Sequence, residues 1–203
     1  MSEPSAPRRR LPRADRRRQL LDAALAEFAE RGYAAASMNA IAERAGITKP
    51  LLYRHFDSKD GLFAACQQEV GEALVTAVEG AMAAAPRSLE LPARVVGAVL
   101  AALEPDPRRW AILTDRTIPL DGPVGAGALR YVGRLRELAG EGIGELLGAA
   151  GLEDADDRDA ATAAWIAIVT AAVEWWLVHP GTSAAAMEQR VLRILRALRA
   201  APA

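Results

Sequence analysis

The fold is decided by the stretch Ser37-Met38-Asn39-Ala40-Ile41-Ala42-Glu43-Arg44-Ala45-Gly46-Ile47-Thr48-Lys49-Pro50-Leu51-Leu52-Tyr53-Arg54-His55-Phe56. Ser37 can cap a short helix whose buried face is Ile41 and Ala45 and which ends at Gly46. Thr48 can cap a second helix, with Pro50 still inside the first turn, where a missing amide costs nothing. That helix runs through Leu52, Tyr53 and His55 to Phe56. Two short helices joined by Ala45-Gly46-Ile47-Thr48 are the layout of a helix-turn-helix: the glycine allows the tight turn, and the second helix can enter a major groove. Ala42 faces the partner helix, where a larger side chain would push the two apart. Ile41, Ile47 and Leu52 are expected to hold the unit to the helix before it.

That preceding helix is read over Arg16 to Arg31, because Leu21, Ala24, Leu25 and Phe28 fall on one helical face and Gly32 follows. Upstream, residues 1–15 hold Pro4, Pro7 and Pro12 with Arg8, Arg9, Arg10 and Arg13, and read as a flexible basic arm. The Arg8 to Arg18 cluster can be a plain soluble tail or an arm that adds salt-dependent affinity for phosphate. Downstream, Ser58 can cap a long helix through Met82, closed by Pro86. Beyond it the periodicity predicts helices over Leu91 to Leu103, Arg108 to Arg116, Gly125 to Leu147, Asp157 to Val178 and Ser183 to Arg199. Nine of the 16 glycines lie between Gly122 and Gly151, and close helix packing would account for them in a helix they otherwise weaken. The Trp165 to Trp176 segment has no polar face and must be covered on both sides. The fold class expected is all-α, with about nine helices: a three-helix helix-turn-helix domain over residues 16–63 and a helical domain over residues 64–203.

Composition bounds the function. The 203 residues are 51% hydrophobic, enough for a real core, and aromatics make up only 5%. The longest charge-free run, Ala160 to Val173, falls short of the roughly 20 apolar residues of a membrane span, so no membrane partner is expected. The single Cys66 cannot form an internal disulfide, reads as a small buried residue rather than a redox sensor, and makes the cytoplasm the default compartment. Two histidines and one cysteine far apart offer no metal ligand set, and His55 has no triad partner spaced with it. No catalytic residue, metal or cofactor is expected. The net charge of -1 conceals an asymmetry: residues 1–66 carry 12 Lys+Arg against 8 Asp+Glu, and residues 67–203 carry 13 against 18. A basic head suited to phosphate sits on an acidic body.

The helix-turn-helix layout, with Leu52-Tyr53-Arg54-His55-Phe56 followed by Ser58-Lys59, strongly resembles the tetracycline-repressor (TetR) family of bacterial transcription regulators. The resemblance covers about residues 16–63 and beyond residue 85 is one of size and helix order only. It implies that Lys49, Pro50 and Leu51 lie where family members touch base edges, Lys49 on guanine and Pro50 or Leu51 on a thymine methyl. It implies backbone contacts from Tyr53, Arg54 and His55, with Thr48 at the helix start and Ser37 and Asn39 as further candidates; Tyr53 as plain core is the alternative. Lys59 matches the family's phosphate-binding lysine at a helix N-terminus. Lys49 and Lys59 are the only lysines, beside 23 arginines.

The resemblance further implies a homodimer through the last two helices, bound to double-stranded operator DNA, and a pocket for an unidentified small-molecule effector. Monomer core is the other account of the tryptophans. Candidate pocket residues, from helix position and aromatic content, are Val99, Leu103, Trp110, Leu113, Arg116, Trp165, Ile168, Val169 and Trp175. Asp115, Arg116 and Glu174 are the charged residues nearest those stretches, and a buried carboxylate beside tryptophan would suit a cationic ligand. The function expected is a repressor released from DNA by its effector. The alternatives are an activator and a helical small-molecule-binding protein with a vestigial helix-turn-helix.

Overall fold

The structure is a computed structural model that describes residues 12–84, 90–115, 117–118 and 122–200. The basic arm expected over residues 1–15 therefore lies largely outside the described residues. Among those described there are nine α-helices, one 3-10 turn and no strand. The helices are α1 (Arg13–Ala35), α2 (Met38–Arg44), α3 (Lys49–His55), α4 (Lys59–Ala84), α5 (Leu91–Leu103), α6 (Ala111–Thr114), α7 (Gly122–Ala149), α8 (Ala155–Leu177) and α9 (Ala184–Ala200).

The N-terminal helices form where the caps and apolar periodicity place them. Ser37 Oγ accepts the Asn39 amide at 3.2 Å at the start of α2, and Ser58 Oγ accepts the Gly61 amide at 2.9 Å at the start of α4. The apolar stripe of α1, with Leu21, Ala24, Leu25 and Phe28 all buried, packs against α2 and α4. Phe28 meets Phe63 edge-on with ring centroids 4.7 Å apart, joining α1 to α4.

Two boundaries differ from expectation. The first helix does not stop at Gly32: the chain kinks there, with φ 72°, and resumes helical bonding to Ala35. The reason is tertiary, because the Tyr33 amide released by the kink donates to Asp115 Oδ2 at 2.7 Å. The expected helix over Arg108 to Arg116 is instead a 3-10 turn, Pro107–Trp110, running into the single turn of α6 and ending at Asp115. Asp106 caps the turn by accepting the Arg108 amide at 3.2 Å.

The C-terminal helices are built around α4. It runs unbroken past residue 63 and packs on both α5 and α7, with α9 on the far side of α5 and α8 on α7. α4 and α7 are parallel and in fixed register: Gly71 with Tyr131, Gly127 with Gln67 and Gly142 with Met82 all meet at an offset of 60 residues. A Cβ at Gly71 would overlap the Tyr131 ring, and one at Gly127 would overlap the Gln67 amide. Close packing thus explains Gly127, whereas Gly133 and Gly148 face open space.

α8 also departs from expectation. Its length and mean hydropathy of 1.5 over its most apolar window match those of a membrane-crossing helix, although only 22% of that window is buried within the chain. The charges that interrupt it are confined to its first turns and to Glu174.

Candidate functional site

The turn between α2 and α3 is fixed by backbone geometry and by side chains reaching in from α1. Gly46 sits at φ 64°, which only glycine adopts without strain, and the Ile47 amide then returns to the Ala42 carbonyl at 3.0 Å. Gln19 of α1 donates to the Ala45 carbonyl at 3.0 Å, holding the end of α2. Glu27, buried on α1, accepts the Ser37 amide at 3.3 Å and pairs with Arg31 and Arg44 at 3.4 and 3.6 Å. Arg44 also makes a two-pronged pair with Glu30, at 3.1 and 2.7 Å, and this holds the Glu30 carboxyl below its ordinary range.

This scaffold gives α3 one buried and one exposed face. Leu52 is fully buried and Phe56 nearly so, with Arg17 of α1 lying over the Phe56 ring at 5.7 Å. On the opposite face Thr48, Lys49, Pro50 and Arg54 are exposed, Leu51 and His55 are half-buried, and Tyr53 is 38% exposed, which excludes it as plain core. Ser37 and Asn39 are exposed at the start of α2. Of the residues singled out from α2 and α3, Ser37, Asn39, Thr48, Lys49, Pro50, Tyr53 and Arg54 are thus solvent-exposed. Lys59 has a partner the sequence did not announce: its ammonium donates to the Ala34 carbonyl at 3.1 Å and lies 4.8 Å from the Tyr33 ring centroid. Tyr33 in turn donates its hydroxyl to Asp60 at 2.7 Å, and burial together with that carboxylate pushes its pKa up to about 12.

A cavity of about 240 Å³ lies between α4, α5, α7 and α8. Val99, Trp110, Leu113, Trp165 and Val169 line it as expected. Leu103 is buried in the core without reaching the wall, because it faces away at the end of α5. Ile168 is 55% exposed on the outer face of α8, and Trp175 is occupied elsewhere, stacked on His179 at 3.8 Å under the Arg190 guanidinium. Arg116 lies outside the described residues. The cationic ligand finds no support, since among the described residues no carboxylate lines the cavity: Asp115 is turned to Tyr33 and Thr117, and Glu174 is exposed. Sequence reasoning missed the contributions of α4 (Leu74, Val78, Met82) and much of α7 (Leu138, Ala139, Ile143). The apolar rows were visible in both helices, but which helix α4 would face was not.

The segment between the turn and α6 joins this cavity to the N-terminal helices. Trp110, Leu113 and Thr114 face the cavity. From the same segment Arg108 pairs with Glu30 at 3.0 Å, Arg109 pairs with Asp22 and Glu69 at 3.5 and 3.4 Å, and Asp115 holds Tyr33.

A solvent-facing helix-turn-helix on a helical body with an apolar cavity is matched by known proteins. Residues 20–66 match the family described as "Bacterial regulatory proteins, tetR family". The transcriptional regulator of Rhodococcus sp. RHA1 described as TetR-like is 28% identical, with a TM-score of 0.70 over 95% of this chain and 100% of that one. Over residues 20–66 the chain is similar to the TetR family, and its fold as a whole is similar to that of a TetR-like regulator. Among curated relatives, the HTH-type transcriptional activator FasR of Mycolicibacterium smegmatis is 52% identical over 73 residues, 36% of this chain and 33% of that protein. The HTH-type transcriptional repressor KstR of the same organism is 30% identical over 123 residues, 61% of this chain and 60% of that protein. The matched stretches thus span a third to three-fifths of these relatives. The family match over residues 20–66 falls on α1 to the first turns of α4, and these relatives include both an activator and a repressor.

Proposed function

We propose that this protein is a TetR-family transcription regulator, a homodimeric DNA-binding repressor released from its operator when a small apolar effector occupies the cavity. The observation that carries the reading is the exposed face of α3, where Lys49, Pro50 and Arg54 are solvent-exposed beside a half-buried Leu51, just after the Gly46 turn. A cation and a short apolar side chain at the start of such a helix are the chemistry that reads guanine and thymine in the major groove. Arg54, His55 and Tyr53, one turn further on, are suited to phosphate and fix the register.

Pairing of two chains follows from operator size and from α8 and α9. One helix-turn-helix reads too few base pairs for tight specific binding, so two are brought together by symmetry. Ile168 and Val178 on or beside α8, and Ile194 and Leu198 on α9, are half or more exposed, and α8 is apolar over most of its length. Apolar surface of this extent is what an obligate interface covers. Effector control is supported by the cavity and by its wall from Trp110 to Thr114, whose neighbours hold α1 and α4. The effector acts only as far as it binds one arrangement of these helices better than the other.

A mobility-shift titration with the DNA upstream of the protein's own gene tests the reading. A salt-sensitive shift that competing random DNA does not abolish is expected. Absence of any shift at low salt would overturn it and favour the helical binding protein with a vestigial helix-turn-helix; a shift that raises transcription in a reconstituted assay would make the protein an activator.

A further inference from the structure

Gln67 is the most anomalous polar residue among those described. It is fully buried on α4, and neither its amide oxygen nor its amide nitrogen has a hydrogen-bond partner. Buried amides normally find partners, and one that does not in a native structure calls for a physical reason. Its place in the α4–α7 seam supplies one. Leu74, Val78 and Met82 of α4 line the cavity, and Gln67 lies two turns before Leu74 on the same face of the helix. Across from it, Gly127 leaves the amide room that a Cβ would take. Along that face of α4, between Gln67 and the cavity-lining Leu74, lies Gly71, against which the Tyr131 ring packs. In chain order along the parallel helices, the seam thus runs from an unpartnered amide, past an aromatic partition, into an aliphatic chamber.

Resting on the effector-controlled reading above, we infer that Gln67 is the polar end of the effector site. The effector is an apolar chain that carries a hydroxyl or carbonyl at its leading end. Entering the chamber, that end turns the Tyr131 ring off Gly71 and meets the Gln67 amide, which can both donate and accept. The chamber offers the chain apolar walls, and of its few polar lining side chains, Thr114, Arg136 and Thr170, two are already engaged: the Thr114 hydroxyl donates to the Trp110 carbonyl at 2.9 Å, and Arg136 pairs with Asp159 at 3.0 Å. Arg136 also borders the open groove between α7 and α8, which places the mouth of the chamber beside it. From the level of Arg136 to that of Gly127 is nine residues of α7, about 14 Å of helix, the reach of an extended dodecanoyl chain. Displacing the Tyr131 ring spreads α4 from α7 at their closest approach, and α4 begins at Lys59, directly behind α3. Recognition of the polar end and release of DNA would then be one event.

The test uses ω-hydroxydodecanoic acid and dodecanoic acid as probes, with the full chain, in isothermal titration. Their carboxylates stay at the wet mouth, so the two probes differ only in the end that goes in. The wild-type protein is expected to bind the ω-hydroxy acid about tenfold more tightly, the discrimination one satisfied buried hydrogen bond supplies. Gln67→Met, which fills the same space with no polar atom, is expected to bind both probes equally. Tyr131→Leu, which removes the ring, is expected to keep the preference. Equal affinities in the wild type, no binding of either probe, an undiminished preference in Gln67→Met or a lost preference in Tyr131→Leu would each overturn the inference. A mobility shift on the same samples reports DNA binding independently, so failure here leaves the regulator reading standing and loss of the shift does not.

Discussion

The Asp115 carboxylate accepts the backbone amide of Tyr33 at 2.7 Å, pinning the kink at Gly32 in α1 to the end of α6. The two residues are 82 apart in sequence, and the contact joins the segment that walls the cavity to the helix on which the helix-turn-helix packs. A second Asp115 oxygen accepts the Thr117 amide and hydroxyl at 2.8 and 2.7 Å, so the carboxylate is held on both sides. Asp115→Ala frees the Tyr33 amide and should cost about 1–2 kcal/mol, the scale of a hydrogen bond to a charged group. Urea unfolding of the wild type and the variant measures it, and a change within a few tenths of a kcal/mol would mean that solvent replaces the carboxylate at no loss.

The same carboxylate makes a pH prediction. Burial pushes the Asp115 carboxyl up, but the Tyr33 amide and the Thr117 hydroxyl and amide outweigh it and leave the pKa below its ordinary 3.8. A group with a depressed folded-state pKa stabilises the fold above its unfolded pKa, and that contribution is lost as pH falls through the folded value. The difference in stability between wild type and Asp115→Asn should therefore be constant from neutral pH down to about 4 and shrink below it. A difference that instead narrows between pH 7 and 5 would assign the effect to another group.

Lys49 and Lys59 should separate cleanly. Lys49 is exposed with its ammonium free to reach a base, so Lys49→Ala should weaken specific binding by about 1–3 kcal/mol and relax base preference, with melting temperature unchanged. Lys59 holds the Ala34 carbonyl at the end of α1, so Lys59→Ala should lower the melting temperature by a few degrees and weaken specific and random DNA alike. Fluorescence anisotropy on both DNAs, beside a thermal melt, decides it. Unchanged stability in Lys59→Ala would show that the ammonium is free for phosphate alone.

How much of this was legible in sequence follows from which contacts are local. The Ser37 and Ser58 caps, the Gly46 turn and the apolar row of α1 are settled within a few residues, and they were readable. The continuation of α1 past Gly32 was not, because the carboxylate that stabilises the kink comes from Asp115. For the cavity, part of the wall supplied by α5, the turn before α6, α6 and α8 was anticipated through Val99, Trp110, Leu113, Trp165 and Val169, whereas the contributions of α4 and α7 were missed. An apolar row shows that a face is buried, not which helix covers it, and the 60-residue register of α4 on α7 is a tertiary fact. Trp175 misled for a related reason: its ring is satisfied by His179 four residues on and by Arg190 of α9.

The register itself can be tested with two glycines of one helix. Gly71 and Gly80 both lie within α4, and helix propensity alone favours alanine over glycine by up to about 1 kcal/mol at each. Gly80 faces open space, so Gly80→Ala should raise stability by about that amount. At Gly71 the added methyl would overlap the Tyr131 ring, down to the Cγ by which the ring is attached, so the ring cannot escape by flipping about its own axis. Gly71→Ala should cost about 1–3 kcal/mol, as overpacking of a core does. Denaturant unfolding of the two variants gives opposite signs if α4 and α7 pair in this register, and the same sign if they do not.

The surface of α8 supplies the last prediction. Ile168 is 55% exposed in the middle of an apolar helix and Leu198 is 70% exposed on α9. Neither holds up the core of a single chain, so Ile168→Asp and Leu198→Asp should leave the helical content and the melting of the monomer nearly unchanged. Each would bury a charge in a two-chain interface, and the dimer should weaken by about tenfold or more. If, as proposed, operator binding needs two helix-turn-helix units, affinity for a full operator should fall with it while weak binding to random DNA remains. Light scattering across a dilution series reads the assembly directly. A wild-type chain that stays monomeric at high concentration, or an Ile168→Asp variant as dimeric as the wild type, would move the interface elsewhere and leave the apolar face of α8 to another partner.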